Sequence, residues 1–146
     1  MALKQIDYGT NEYDQMIALR HEILRKPLGI TFSKEELDKD KYDILIACMD
    51  DEEVLGCCIL THVDNNCIRL RQMAVQKKLQ GKGIGESIMT FAENLARDKG
   101  YKTLMMHARD TAIGFYEKFG YAIKGEKFTA LALNNMTHQV MEKMLW

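Results

Sequence analysis

The chain has 146 residues, 47% apolar and 28% charged, with a net charge of −1 at pH 7. That length suits one domain around one core, expected over residues 1–146, and the charge balance provides no field to attract nucleic acid or anionic lipid. No apolar run approaches the ~20 residues that cross a bilayer, and Met1–Tyr8 lacks the basic start and apolar middle of a secretory signal, so a cytoplasmic protein with no membrane partner is expected.

In chain order, Lys4–Tyr8 reads as a short first strand, after which Asn11 can cap a helix carrying Met16, Ile17, Leu19, Ile23 and Leu24 at helical spacing. Pro27 and Gly29 end that helix. A second short helix is expected from Ser33, because Ser33-Lys34-Glu35-Glu36 sets a glutamate three residues after a hydroxyl, the capping-box arrangement. Asp43–Met49 and Val54–Val63 are short and apolar, and the acidic turn Asp50-Asp51-Glu52-Glu53 between them makes a hairpin. Asp64-Asn65-Asn66 supplies a second turn and Cys67–Val75 a third strand, which completes an antiparallel meander.

The next connection differs. A glycine-rich loop leads into a helix over about Gly83–Lys99, with Ile84, Ile88, Met89, Ala92, Leu95 and Ala96 on one stripe and Gly100 as its stop. Thr103–Ala108 is then a strand, so the unit from Cys67 to Ala108 is a strand–helix–strand crossover, which requires a parallel pair. A helix over Thr111–Phe119 ends at Gly120, and Tyr121–Lys127 and Gln139–Leu145 are expected to pair antiparallel across the loop 128–138. The four cysteines include the adjacent pair Cys57-Cys58 and show no zinc spacing, so reduced thiols and no metal are expected.

Gln80-Gly81-Lys82-Gly83-Ile84-Gly85 lies between a strand and an amphipathic helix. Glycines there let backbone N–H groups approach a phosphate, and the helix start adds unpaired donors and partial positive charge. A plain glycine-rich turn is the other reading of a lone motif. A dinucleotide fingerprint would follow the first strand, whereas this loop follows a mid-chain one. An NTPase loop needs Gly-Lys-Ser or Gly-Lys-Thr, but Lys82 is followed by Gly83.

With those residues in hand, the chain resembles the GNAT superfamily of N-acetyltransferases, whose acetyl-CoA loop reads Gln/Arg-x-x-Gly-x-Gly/Ala and is filled here by Gln80, Gly83 and Gly85. The resemblance runs upstream through Met73-Ala74-Val75 and downstream through Ala112-Ile113-Gly114-Phe115-Tyr116-Glu117-Lys118-Phe119-Gly120-Tyr121. It implies an α/β (α+β) fold: a mixed, mostly antiparallel sheet with a central parallel strand–helix–strand unit and helices on both faces. It also implies acetyl-CoA as co-substrate, direct transfer to a primary amine in a ternary complex, and the two parallel strands splaying to admit the pantetheine arm.

By the same resemblance, Met73, Ala74 and Val75 bind that arm, Gln80, Gly81, Lys82, Gly83, Ile84 and Gly85 hold the pyrophosphate, and Ala112 and Phe115 complete the cofactor site. Phe115 also suits simple packing. Tyr116 matches the tyrosine that approaches the CoA sulfur as general acid. Some members carry a basic glutamate on the fourth strand, but Cys67-Ile68-Arg69-Leu70-Arg71-Gln72-Met73 has no carboxylate, which leaves His107 and His138 as candidate bases. Arg109 stands where many members have Asn, and it faces a CoA phosphate, an acidic acceptor or solvent. The acceptor is expected to be a small metabolite amine, bounded by the first two helices and the loop 128–138, where Arg20, Arg25 and Glu36 are candidate lining residues. The alternative is a non-catalytic acetyl-CoA sensor or regulatory module, and a homodimer is compatible with either reading.

Overall fold

The computed structural model describes residues 1–146. Ala2–Ile6 (β1), Ile44–Asp50 (β2), Glu53–His62 (β3), Cys67–Val75 (β4), Thr103–Arg109 (β5), Ala122–Ile123 (β6), Phe128–Ala130 (β7) and Met136–Met144 (β8) form one sheet. Its order is β1-β2-β3-β4-β5-β8-β6, with β7 pairing β8. Only β4 and β5 run parallel, and every other pairing is antiparallel.

Side-chain alternation along the strands sends two apolar sets to opposite faces. Ile46, Cys58, Leu60, Ile68, Leu70, Leu104 and Met106 pack against the helix Ile84–Asp98, whose stripe of Ile88, Met89, Ala92 and Ala96 is fully buried. Leu45, Ala47, Cys57, Ile59 and Ala74 pack instead against Tyr13, Met16 and Leu19 of the first helix. The expected mixed sheet with helices on both faces is what the chain adopts.

The first helix, α1, spans Asn11–Arg20, and its cap is Thr10, not Asn11: the Thr10 hydroxyl accepts from the Tyr13 N–H at 3.2 Å. The helix continues as one wide π turn, His21–Arg25, before Lys26–Leu28 and Gly29, at φ 71°, end it. The second helix, α2 (Lys34–Asp38), has the expected capping box between Ser33 and Glu36. Behind it, the fully buried Asp40 accepts from Arg20 at 2.8 Å, Arg71 at 3.0 Å and the Tyr13 hydroxyl at 2.7 Å. One carboxylate thereby joins α1, the turn after α2 and β4.

Helix α3 is Ile84–Asp98, and Gly56 lets it lie close to the sheet. A Cβ at Gly56 would meet Ile88 Cδ1 at 2.9 Å, Ile84 Cγ2 at 3.0 Å and the Ala74 carbonyl at 3.3 Å. The last helix, α4, is shorter than its pattern suggested, Ile113–Lys118, after a 3-10 turn at Asp110–Ala112.

The C-terminal third departs most from expectation. Residues 128–138 are not a loop: Phe128–Ala130 pairs with Met136–His138 around a 3-10 turn at Leu131–Leu133. Asn134 and Asn135, at φ 55° and 59°, make the left-handed bend that glycine usually makes, so a turn signal was present in a less familiar residue type. The expected strand Tyr121–Lys127 shrinks to Ala122–Ile123, because Gly125 at φ 71° turns the chain and its carbonyl is taken by the Gln139 amide at 3.0 Å. β1 likewise begins earlier than Lys4 and stops at Ile6.

Gly56→Val forces a branched side chain against Ile84, Ile88 and the Ala74 carbonyl. Overpacking of that kind costs about 1–3 kcal/mol. Urea denaturation should show a lower midpoint with an unchanged slope; an equally stable variant would mean that α3 moves away from the sheet freely.

Candidate active site

The site begins with a defect in β4. Its register against β3 shifts between Cys57 and Ile59, so that Arg71 faces Ile59 while Ala74 faces Cys57, and Gln72 within the bulge has φ 56°. On its other edge β4 pairs with β5 only from Cys67–Thr103 to Leu70–Met106, although the strands continue to Val75 and Arg109. Beyond Leu70 and Met106 the two parallel strands have separated. The Gln72 side-chain oxygen is buried there without a hydrogen-bond partner.

Into this gap opens a cleft of about 670 Å³. Met73, Ala74 and Val75 from β4, Gln80, Gly81, Gly83, Ile84 and Gly85 from the loop, and Ala112, Phe115 and Tyr116 from the α4 region all line it. Lys82 lies in the same loop but not in the cleft wall, and it is exposed.

The loop has the geometry that an anion requires. Gly81 and Gly83 have φ 79° and 89°, and Gln80 folds back to donate from its amide to the Val75 carbonyl at 3.1 Å. None of the N–H groups from Gly81 to Glu86 donates to a backbone carbonyl. Six successive donors are therefore left unused at the start of a 15-residue helix, where its dipole favours negative charge. Gly85 has a different use. A Cβ there would stand 3.2 Å from the Phe115 ring, so Gly85 lets α3 and α4 approach, and Phe115 both packs and lines the cleft.

Tyr116 is only 6% exposed, between Phe115 and Tyr121, yet it reaches the cleft. Burial raises the pKa of its phenol well above the usual value, helped by the Cys58 thiol and opposed by Arg109, so it remains protonated at neutral pH. No protein group hydrogen-bonds this hydroxyl, whereas that of neighbouring Tyr121 donates to Glu93 at 2.7 Å.

His107 and His138 are brought together across Phe128, whose ring lies 5.2 Å from one imidazole and 5.7 Å from the other. His138 is buried, and its Nδ1 lies 3.0 Å from the Met136 carbonyl. A carbonyl only accepts, so Nδ1 is the donor in that contact, and in the neutral imidazole Nε2 is then the acceptor. Burial first, then the Arg69 guanidinium and the neighbouring His138 ring, lower the His107 pKa below its ordinary value.

The sequence contained no basic run longer than Lys77-Lys78, yet the fold assembles Arg25, Arg69, Arg71 and Arg109 around the cleft. Arg69, Arg71, His107 and Arg109 alternate with the core residues Leu70, Met106 and Ala108 and so share the α1 face of the sheet. Arg109 also donates to the Leu24 carbonyl at 2.9 Å, which ties the π turn to β5. Of the acceptor-side candidates, Arg25 lines the cleft, while Arg20 is buried against Asp40 and Glu36 binds Arg25 from outside. Period-two spacing of arginines on a single strand was the available signal.

Comparison with known proteins agrees with this fold. The uncharacterized protein YyaT of Bacillus subtilis is 28% identical over 133 residues, covering 84% of this chain and 87% of that protein. Two other curated relatives, from Xenopus tropicalis and Bacillus subtilis, are 27% and 29% identical, and the chain spans about half of each, 42% and 49%. Among solved structures, a Lactobacillus plantarum protein assigned as an N-acetyltransferase superposes with a TM-score of 0.86 at 21% identity over the whole of both chains. An aminoglycoside 6'-N-acetyltransferase complexed with coenzyme A superposes at 0.83 and 16% identity, covering 100% of this chain and 98% of that one. Residues 13–121 match the model of the Acetyltransferase (GNAT) family. With three-quarters of its length inside that match, the chain belongs to the GNAT acetyltransferases.

Proposed function

We propose that residues 1–146 act as one N-acetyltransferase domain that moves an acetyl group from acetyl-CoA directly to the primary amine of a small metabolite within a ternary complex. The observation that carries this reading is the row of unused N–H groups from Gly81 to Glu86 at the edge of a cleft between two separated parallel strands. The pyrophosphate of CoA sits on the loop donors, and the pantetheine arm runs along Met73–Val75. There the bulged β4 supplies backbone groups with no ladder partner on the β5 side. The four free cysteines are in keeping with a cytoplasmic enzyme.

In the transfer, the amine nitrogen attacks the thioester carbonyl, the carbon–sulfur bond breaks, and the sulfur leaves with the electron pair of that bond. Tyr116 donates its proton to the leaving thiolate. The attacking nitrogen loses a proton through water to an imidazole, and His138 is the better placed of the two because, in the neutral ring, its Nδ1 contact makes Nε2 the acceptor. No cysteine nucleophile is needed, since burial raises the Cys57 thiol to about 12 and that of Cys58 well above its ordinary value.

Two variants test this reading. Gly83→Asn keeps a residue type that tolerates the left-handed φ of 89° but places a side chain beside the phosphate donors. Calorimetry should show CoA affinity falling about 10-fold or more, the scale of one charge-assisted hydrogen bond, with little change in melting temperature. Unchanged affinity would remove the loop from the account.

Tyr116→Phe keeps the ring and removes the donor. Because the sulfur gains charge only as its bond breaks, turnover should fall about 10- to 1000-fold while the directly measured CoA affinity changes little. Full turnover under chemistry-limited conditions would assign the proton to another group.

A further inference from the structure

Four arginines line the cleft and Arg20 is buried behind them, and three of the five are neutralised by carboxylates. Arg25 pairs with Glu36 at 2.8 Å, while Arg20 and Arg71 share Asp40, and Arg71 reaches Asp43 at 3.2 Å. Arg69 and Arg109 have no carboxylate within ion-pair distance, and the Arg69 Nε is buried with no partner at all. The one carboxylate that lines the cleft, Glu86, belongs to the first turn of α3, on the opposite face of the sheet.

Burial lowers the pKa of both guanidiniums, yet arginine keeps its charge, so the fold retains two uncompensated cations beside its reaction cleft. Both line the same cleft. Arg69 is level with Met105 in the β4–β5 ladder, and Arg109 stands four residues further along β5 on the same face, with His107 between. About 13 Å of strand separates them, comparable with the combined reach of two extended arginine side chains.

We infer that Arg69, with Arg109 from the neighbouring strand, binds a carboxylate of the acceptor, so that the substrate is an amine of the amino-acid class. This rests on the N-acetyltransferase reading and specifies its second substrate. A planar guanidinium fork matches a carboxylate, and the carboxylate supplies the counter-charge that the protein lacks there. The same positive field disfavours the ammonium form of a bound amine, which helps the neutral nucleophile that transfer requires. It disfavours polycationic acceptors such as aminoglycosides outright.

The test titrates the CoA-saturated protein with a series of N-acetyl-L-amino acids and the matching N-acetyl amino amides, which differ only in the carboxylate. At least one N-acetyl amino acid should bind about 10- to 100-fold more tightly than its amide, the range of a charge-assisted bidentate contact. Arg69→Gln should bring that ratio toward one without changing CoA affinity, and Arg69→Lys should keep part of it. Lys124→Gln removes an equal charge at an exposed pair with Glu142 and should leave the ratio intact. The inference is overturned if no pair in the series differs, or if the preference survives both Arg69→Gln and Arg109→Gln. Failure of the unaltered protein to bind CoA is a separate result, and it would overturn the acetyltransferase reading and this inference with it.

Discussion

The structure depends on a broken ladder. β4 and β5 begin as an ordinary parallel pair at Cys67 and Thr103 and part after Leu70 and Met106, just before the bulge that leaves Gln72 at φ 56°. A continuous ladder would satisfy every strand group and close the sheet, leaving no room for a cofactor arm. The bulge shifts β4 by one residue relative to β3, so Ala74 returns to the α1 face while Met73 and Val75 pack toward α3. The price is borne locally by an unpartnered Gln72 oxygen and a strained backbone.

Everything around the gap holds it at a fixed width. Gly56 brings α3 down on β3, Gly85 brings α4 against α3, and Tyr116 enters the cleft from that second contact. On the other face, the buried Asp40 ties Arg71 to Arg20 and Tyr13, and Arg109 holds the Leu24 carbonyl. Asn134 adds a contact across the rim by donating to the Leu28 carbonyl. The site thus rests on rigid elements from both layers, the condition for holding two substrates in register.

What could be read from the residues alone follows from how local each signal is. The meander, the crossover and the α3 stripe are short-range patterns, and Cys67–Val75 is a strand over its expected length. The loop at Gln80–Gly85 was legible because its glycines, preceding strand and following helix lie together in the chain. The hairpin at 128–138 was missed because paired asparagines made the turn, and the long strand before it failed because the polar run Lys124-Gly125-Glu126-Lys127, with Gly125 at φ 71°, was read as strand when it is the bend. Least legible was the charge of the acceptor side. Arg25, Arg69 and Arg109 come from three elements, and whether each finds a carboxylate depends on Glu36, Asp40 and Asp43 in a segment whose position nothing local dictates. A net charge of −1 averages over the chain and conceals a pocket of opposite sign.

The central claim is that CoA occupies the gap, with its pyrophosphate on the α3 start. Amide NMR of the labelled protein titrated with CoA tests it most directly, because each donor reports separately. The account predicts the largest amide shifts at Gly81–Glu86 and Gln72–Val75, with the β1–β2 edge unmoved. CoA binding that shifts other amides and leaves Gly81–Glu86 unchanged would contradict it.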